Sequence, residues 1–373
     1  MILDQELRFK EHAAYTLAKG STWVAQIRRL QRPTIGMPPR FAWLLYKGIA
    51  IPRMLYAAEI FLTPVTNNAG RRRVSGSVGP MAKLARVQRT AALNITGALR
   101  TTATDMIDTH ADLLPFHILV NQICQRSALR LATLPDTHPL YKHVRRAKRN
   151  VKRHRTPLHE LHHAFHIDPD STETISSHRQ APGWIRQTEV RKAADKEEAR
   201  REVMERRVQV EVYTDGSDID GGVGTAAILY RDSQRQGTLR AHLGPSTLHT
   251  IYEGELTGIL LAIHLLRKAG GWQTAEIALD SQAAIGALNL TKPAGSHYMV
   301  DEIHRQLKAA RHAHPAAKLT TRWIPDHMEI EGNEQTDDEA KKAARGDASP
   351  PSALPTLLRN PLPASTSAIR RAY

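Results

Sequence analysis

The chain has one cysteine, Cys124, in 373 residues, so no internal disulfide framework can brace it, consistent with a reducing compartment. Aromatic residues are scarce, at 5%. No apolar run reaches the roughly 18 residues a membrane-spanning helix needs. The best candidate, residues 41–62, is broken by Lys47, Pro52 and Arg53. The first residues, Met1-Ile2-Leu3-Asp4-Gln5-Glu6, carry acids where a secretory leader needs basic ones, so an intracellular protein is expected. What is present is a composition 41% hydrophobic, enough for a sizeable core, over a length that suits two or more domains.

The net charge of +15 is unevenly spread. Residues 1–207 hold 35 Lys and Arg against 18 Asp and Glu, whereas residues 208–345 hold 14 against 18. A basic half beside a mildly acidic half suggests one part that grips a polyanion and one that concentrates divalent cations. A basic but merely solvated surface is the plain alternative.

Residues 1–135 read as mostly helical. Leu3 to Leu30 has few breakers, and Arg40 to Phe61 is apolar with an expected kink at Pro52. Asn67 to Pro80, with Arg71-Arg72-Arg73 and several breakers, reads as a basic loop. Met81, Leu84, Val87, Ala91 and Ile95 then recur at helical spacing up to Gly97, and Leu113 to Leu134 reads as a further helix. Lys142 to Arg155 holds eight Lys and Arg, which read either as a solvated tether or as phosphate contacts. Asp168 to Trp184 reads as a linker and Glu189 to Arg207 as a charged helix, so 136–207 is expected to connect two domains. The Pro/Ala/Ser-rich stretch 346–373 is expected to be disordered.

Between 208 and 345 strand and helix periodicities alternate. Val208, Val210 and Val212 mark a strand leading to Asp215-Gly216-Ser217, a turn signal that places Asp215 at a strand end. Thr225–Tyr230 and Thr238–Leu243 read as the next two strands, and Ile251 to Lys268 as a helix. Ala275 to Asp280 is a strand ending in a second acid, and Leu319 to Ile324 a fifth strand. Helices are expected over Ser281–Leu288, His297–His314 and Asn333–Arg345, with Asn333 as a cap. The result is a mixed five-stranded α/β sheet with flanking helices.

In this pattern Asp215, Glu255, Asp280 and Asp337 can converge, while Glu253, about 200° around its helix from Glu255, should point away. Any one of these acids could simply cap a helix or complement its dipole. Several carboxylates together repel, and a shared cation keeps them ionised. All-oxygen donors without cysteine suit Mg²⁺ or Mn²⁺, and a pair of such ions suits in-line attack on a phosphodiester.

Residues 208–345 resemble a type-1 ribonuclease H domain of the kind that follows LINE-type reverse transcriptases. The resemblance is carried by Tyr213-Thr214-Asp215-Gly216-Ser217, Tyr252-Glu253-Gly254-Glu255, Leu279-Asp280-Ser281-Gln282, and Trp323-Ile324-Pro325-Asp326-His327 running on to Asn333-Glu334-Gln335-Thr336-Asp337. It implies Mg²⁺-dependent or Mn²⁺-dependent cleavage of RNA in RNA–DNA hybrids with two ions per site, Asp215 bridging them, Glu255 and Asp280 on one and Asp337 on the other. It also implies His327 in proton transfer or product departure, and Ser217, Ser281, Gln282 and Asn333 as hybrid contacts. Asp326 and Glu329 stand where the family has glycine, Thr336 and Gly254 where it has alanine; the two acids would stiffen the histidine loop and slow turnover. Leu44 to Tyr56 and Leu84 to Arg100 are similar to the helical segment after the palm in fungal non-LTR retrotransposon reverse transcriptases. No Tyr-x-Asp-Asp occurs, so the palm is absent and a retrotransposon remnant is expected. A non-catalytic nucleic-acid-binding remnant is the competing reading.

His159-Glu160-Leu161-His162-His163, with His166 nearby, spells the His-Glu-x-x-His of zinc proteases. Pro157 and the basic stretch before it favour an amphipathic helix instead.

Overall fold

The protein is represented by a computed structural model that describes residues 1–31, 36–65, 76–149, 156–177, 188–191, 193, 197–198, 201, 208–290, 292–325 and 330–373. It divides into two compact units, residues 1–132 with 136–170, and residues 133–135 with 171–373. Among the described residues no helix is long and apolar enough to cross a membrane.

The first unit is helical, built from α1 (Lys10–Leu30), α2 (Pro39–Leu45), α3 (Ile51–Met54), α4 (Ala58–Phe61), α5 (Val78–Thr96), α6 (Thr104–His110), α7 (Phe116–Ala132), α8 (Tyr141–Ala147) and α9 (Pro157–Phe165). Met81, Leu84, Val87, Ala91 and Ile95 of α5 are buried, and Gly97 ends the helix in the left-handed conformation. Ahead of Pro52 the backbone makes a π-helical turn, Tyr46–Ala50, and the short α3 that holds the proline ends at Met54. The basic run after Lys142 is folded in its first half. The Arg145 guanidinium lies 3.6 Å from the Tyr141 ring centre and 3.0 Å from the Asp170 carboxylate, and Lys148 pairs with Asp168 and Asp170. Residues 150–155 lie outside the described residues.

The second unit carries β1 (Glu189–Arg191), β2 (Val210–Ile219), β3 (Gly222–Arg231), β4 (Gln234–Pro245), α10 (Ile251–Ala269), β5 (Thr274–Leu279), α11 (Gln282–Ala287), α12 (His297–Ala313), β6 (Lys318–Trp323), α13 (Glu331–Ala344) and α14 (Thr366–Ala372). The sheet is mixed and has six strands in the order β1-β6-β5-β2-β3-β4. β2, β3 and β4 form an antiparallel meander; β5 lies parallel to β2, and β6 parallel to β5.

Four expectations are corrected here. The sixth strand, β1, comes from the segment expected to begin a charged helix. Thr188 Oγ1 donates to the Leu319 carbonyl at 3.2 Å and Glu189 pairs with Lys318 at 3.2 Å, which fixes three residues parallel to β6. Strand β2 does not stop at Asp215 but runs on to Ile219, and the turn falls on Asp220 and Gly221, both at positive φ. The stretch 346–373, expected to be disordered, is ordered: Leu354 joins the core with Leu357, Leu358 and Leu362 packed against it, and Ser349 N–H donates to the Arg240 carbonyl on the outer strand β4 at 2.9 Å. The linker reading fails for residues 171–175, which bridge to this tail through Thr172 and Ala364.

The core lies between α10, α12 and one face of the sheet. Val210 and Val212 of β2 point into it with Ile277 and Leu279 of β5, against Leu256, Ile259, Leu260 and Ile263 of α10, all buried. Each such side chain contributes about 1.5–3 kcal/mol. On the opposite face α13 seats Gly332 against the Tyr213 ring, where a Cβ would meet ring atoms at 2.5 Å. Residues of opposite parity on β2 therefore face different helices.

Candidate active site

Strand β2 pairs with β5 only as far as Thr214 opposite Leu279, and with β3 as far as Ile219. Asp215 is thus the first β2 residue beyond the end of its parallel neighbour, at the carboxyl ends of the parallel strands, where open α/β sheets generally bind ligands. Asp280 follows the last residue of β5. Its carbonyl accepts from Trp323 Nε1 at 2.9 Å, and Ser281 caps α11 by accepting from Ala284 N–H at 3.3 Å. Glu255 sits in the first part of α10, brought close because residue 216 is glycine. A Cβ on Gly216 would lie 2.8 Å from the Glu255 nitrogen and 3.0 Å from the Gly254 carbonyl carbon. Gly254 in turn lies 3.4 Å from the Gly216 Cα by the same measure.

These three acids meet. One carboxylate oxygen from each of Asp215, Glu255 and Asp280 lies within 4.8 Å of the others. Asp215 and Glu255 are buried, at 8% and 7% exposure, while Asp280 is half-buried. Asp215 Oδ1 accepts from Gly216 N–H at 2.8 Å, and Glu255 Oε2 is buried without a hydrogen-bond partner. Burial, with the charge of Asp280 and then of Asp337, pushes Asp215 up to about 8. Burial, with Asp215 and Asp280, pushes Glu255 up to about 9. An orphaned buried carboxylate oxygen and two protonatable acids in contact are what an all-oxygen donor set shows when a cation is its natural counter-charge, so these residues fit a divalent ion.

Asp337, on α13, is not part of the mutually close trio, but it reaches Asp215, on which its charge and a side-chain hydrogen bond both act to raise the pKa. Its Oδ2 lies 2.6 Å from Lys341 Nζ, one helical turn on, in a half-exposed pair. Lys341 was not anticipated, although its i+4 spacing from Asp337 is visible in the sequence. Ser217 is buried on β2, Gln282 is exposed in α11, and Asn333 is buried with its Oδ1 unpartnered. Asn333 does not cap α13: the N-cap is Ile330, and Asn333 lies in the first turn. Glu253 is outside the acid cluster and fully buried. It completes a capping box with Thr250, whose N–H it accepts at 2.9 Å. His327, Asp326 and Glu329 lie outside the described residues.

In α9, the His159 ring Nδ1 accepts from Thr156 N–H at 3.2 Å in a second capping box. His162 is buried and donates from Nδ1 to the Ile167 carbonyl at 3.1 Å, and burial holds its pKa below the ordinary value.

The ribonuclease H family model matches residues 207–345. The α/β unit accordingly has a ribonuclease H-like fold, joined in this chain to a helical region. Among solved structures, the N-terminal ribonuclease H domain of Rv2228c from Mycobacterium tuberculosis, solved as a fusion with maltose-binding protein, is 18% identical. It covers 37% of this chain and 99% of its own, with a TM-score of 0.30. Ribonuclease H1 of the archaeon Halobacterium salinarum is 18% identical, covering 36% and 96%, with a TM-score of 0.27. A compost metagenome ribonuclease H1, LC11, solved with an RNA/DNA hybrid, is 16% identical, covering 36% and 96%, with a TM-score of 0.29. No curated protein matches the chain.

Proposed function

We propose that the chain hydrolyses the RNA strand of RNA–DNA hybrids in a reaction that depends on divalent metal ions. The observation that carries this reading is the convergence of Asp215, Glu255 and Asp280 oxygens within 4.8 Å at the end of β5. The family match over residues 207–345 supports the substrate class. Asp215, Glu255 and Asp280 would hold Mg²⁺ or Mn²⁺, with Asp337 as a fourth ligand once Lys341 gives way. When bound, the cation supplies Lewis acidity toward water and phosphate. The chain's own part is to hold the carboxylates in register. Gly216 N–H orients the Asp215 carboxylate, the Trp323 indole and the Ser281 cap fix the turn bearing Asp280, and the Gly216–Gly254 approach sets Glu255. His327 would serve proton transfer or product departure, and Ser217, Ser281, Gln282 and Asn333 would touch the hybrid. Recognition would run through 2′-hydroxyls and duplex shape, so cleavage would be nearly independent of sequence. The helical unit and the retrotransposon context complete the proposal as a basic, nucleic-acid-holding partner to the nuclease.

The test is incubation of the full chain with labelled RNA–DNA hybrid in Mg²⁺ or Mn²⁺, beside Asp280→Asn and all-RNA and all-DNA duplexes. Hybrid-specific cleavage lost in Asp280→Asn supports the reading. A folded parent that leaves the hybrid intact in both metals leaves a binding-only remnant in its place.

A further inference from the structure

Two segments outside the ribonuclease H match, 171–175 and the tail 346–373, meet at one buried carboxylate. Glu173 is 1% exposed. Its Oε1 accepts from the N–H and hydroxyl of Thr366 at 2.7 and 2.8 Å, and its Oε2 accepts from Ser296 N–H at the start of α12. Main-chain bonds close around it: Ala364 N–H to the Ser171 carbonyl at 2.7 Å, Glu173 N–H to Ala364 at 3.0 Å, and Ser365 N–H to Leu248 at 2.7 Å. Further along α14, Arg371 donates to the Ser246 carbonyl at 2.8 Å and lies 3.6 Å from the Asp218 carboxylate of β2.

Ser246 and Leu248 belong to the loop that enters α10, directly before the Thr250–Glu253 capping box, whose Thr250 is five residues before Glu255. The inner side of that first turn rests on Gly216 of β2, where the glycine admits the Glu255 nitrogen. Sheet and tail therefore grip the same turn.

We propose that Glu173 is a positioning residue: with the tail it forms a clasp that fixes the first turn of α10 and so presents Glu255 to the divalent cation. The inference rests on the reading of the acid cluster as a metal site. Without the Glu173 carboxylate, buried N–H groups of Thr366 and Ser296 lose their acceptor, the tail loosens from Leu248, and the loop that starts α10 regains freedom. A carboxylate ligand on a mobile turn binds metal more weakly, as loss of the partners that orient ligands generally does.

The experiment compares the full chain with Glu173→Ala, Glu173→Gln, Thr366→Val and a chain ending at Arg345. Mn²⁺ affinity is measured by calorimetry, and amide exchange is followed over 249–256. Glu173→Ala is expected to weaken Mn²⁺ binding about 10–100-fold and to speed exchange over 249–256, with exchange over 210–215 unchanged. Glu173→Gln, which keeps one acceptor oxygen, recovers part of the affinity. The shortened chain behaves like Glu173→Ala, and residues 346–373 added as a peptide restore it. Equal Mn²⁺ affinity in the parent and Glu173→Ala overturns the clasp, whatever the melting temperatures do. If the shortened chain does not fold, the point variants decide. If the parent itself binds no Mn²⁺, the metal reading falls, and unchanged exchange over 249–256 in Glu173→Ala then overturns the clasp separately.

Discussion

Two regions of this chain carry residues that look like metal ligands, and they differ in what their donor atoms are already doing. In α9 the residues spell a recognised zinc motif with His159 and His163 at its ligand positions, yet the His159 Nδ1 serves the helix cap at Thr156, and no group of three or more converging ligand atoms forms there among the described residues. In the acid cluster no short motif links the residues, yet three carboxylate oxygens converge and Glu255 Oε2 has no partner. A motif fixes residue spacing, whereas a site needs donor atoms that converge.

The contrast breaks most sharply on activity. Asp215→Asn or Asp280→Asn should lower hybrid cleavage by about 10³-fold or more, while His159→Ala and His163→Ala leave it unchanged in the same gel assay. Next is stability against pH. Asp215 and Glu255 have folded pKa values raised to about 8 and about 9, above their unfolded values. The folded chain therefore holds more protons than the unfolded one between about pH 4 and pH 9. The contribution of these two groups to metal-free stability is fullest below about pH 4 and is lost as pH rises through the folded values, so melting temperature should fall from neutral pH toward pH 9. Mn²⁺ should reverse that fall, and Asp215→Asn should flatten it and stabilise the metal-free chain by about 1–3 kcal/mol. Melts that ignore pH in this range would remove the electrostatic half of the contrast. Gly216→Ala should destabilise by about 1–3 kcal/mol and weaken Mn²⁺ binding, because its methyl meets the α10 backbone, as denaturant titration and calorimetry would show. The smallest effect is His159→Ala, about 0.5–1 kcal/mol of stability from the lost cap, read by denaturant unfolding.

Much of the α/β unit was legible in its residues. The valine alternation, the apolar stripe of α10 and the acids at strand and helix ends suffice to bring Asp215, Glu255 and Asp280 near one another. Asp215-Gly216-Ser217 reads as a turn because glycine signals both a bend and a close approach, and only the packing of α10 on β2 distinguishes them. Strand β1 was invisible because three residues have no periodicity of their own; Thr188 and Lys318 create it from a distance. The tail's proline, alanine and serine suggested disorder, while the leucines at 354, 357, 358 and 362 that anchor it are too few to show a pattern. The cation beside Asp337 is readable at i+4, but its meaning depends on Asp215 lying beside Asp337.

Strand β1 also bears on how this protein can be handled. It lies before the ribonuclease H match, so a fragment cut at Val208 would strip β6 of its outer neighbour. The main-chain groups of residues 320–322 would then face water as a bare, pairing-competent rim. Such a rim recruits strands from other molecules. A fragment trimmed to the family boundary should therefore self-associate and come out of solution at concentrations where the intact chain stays dispersed.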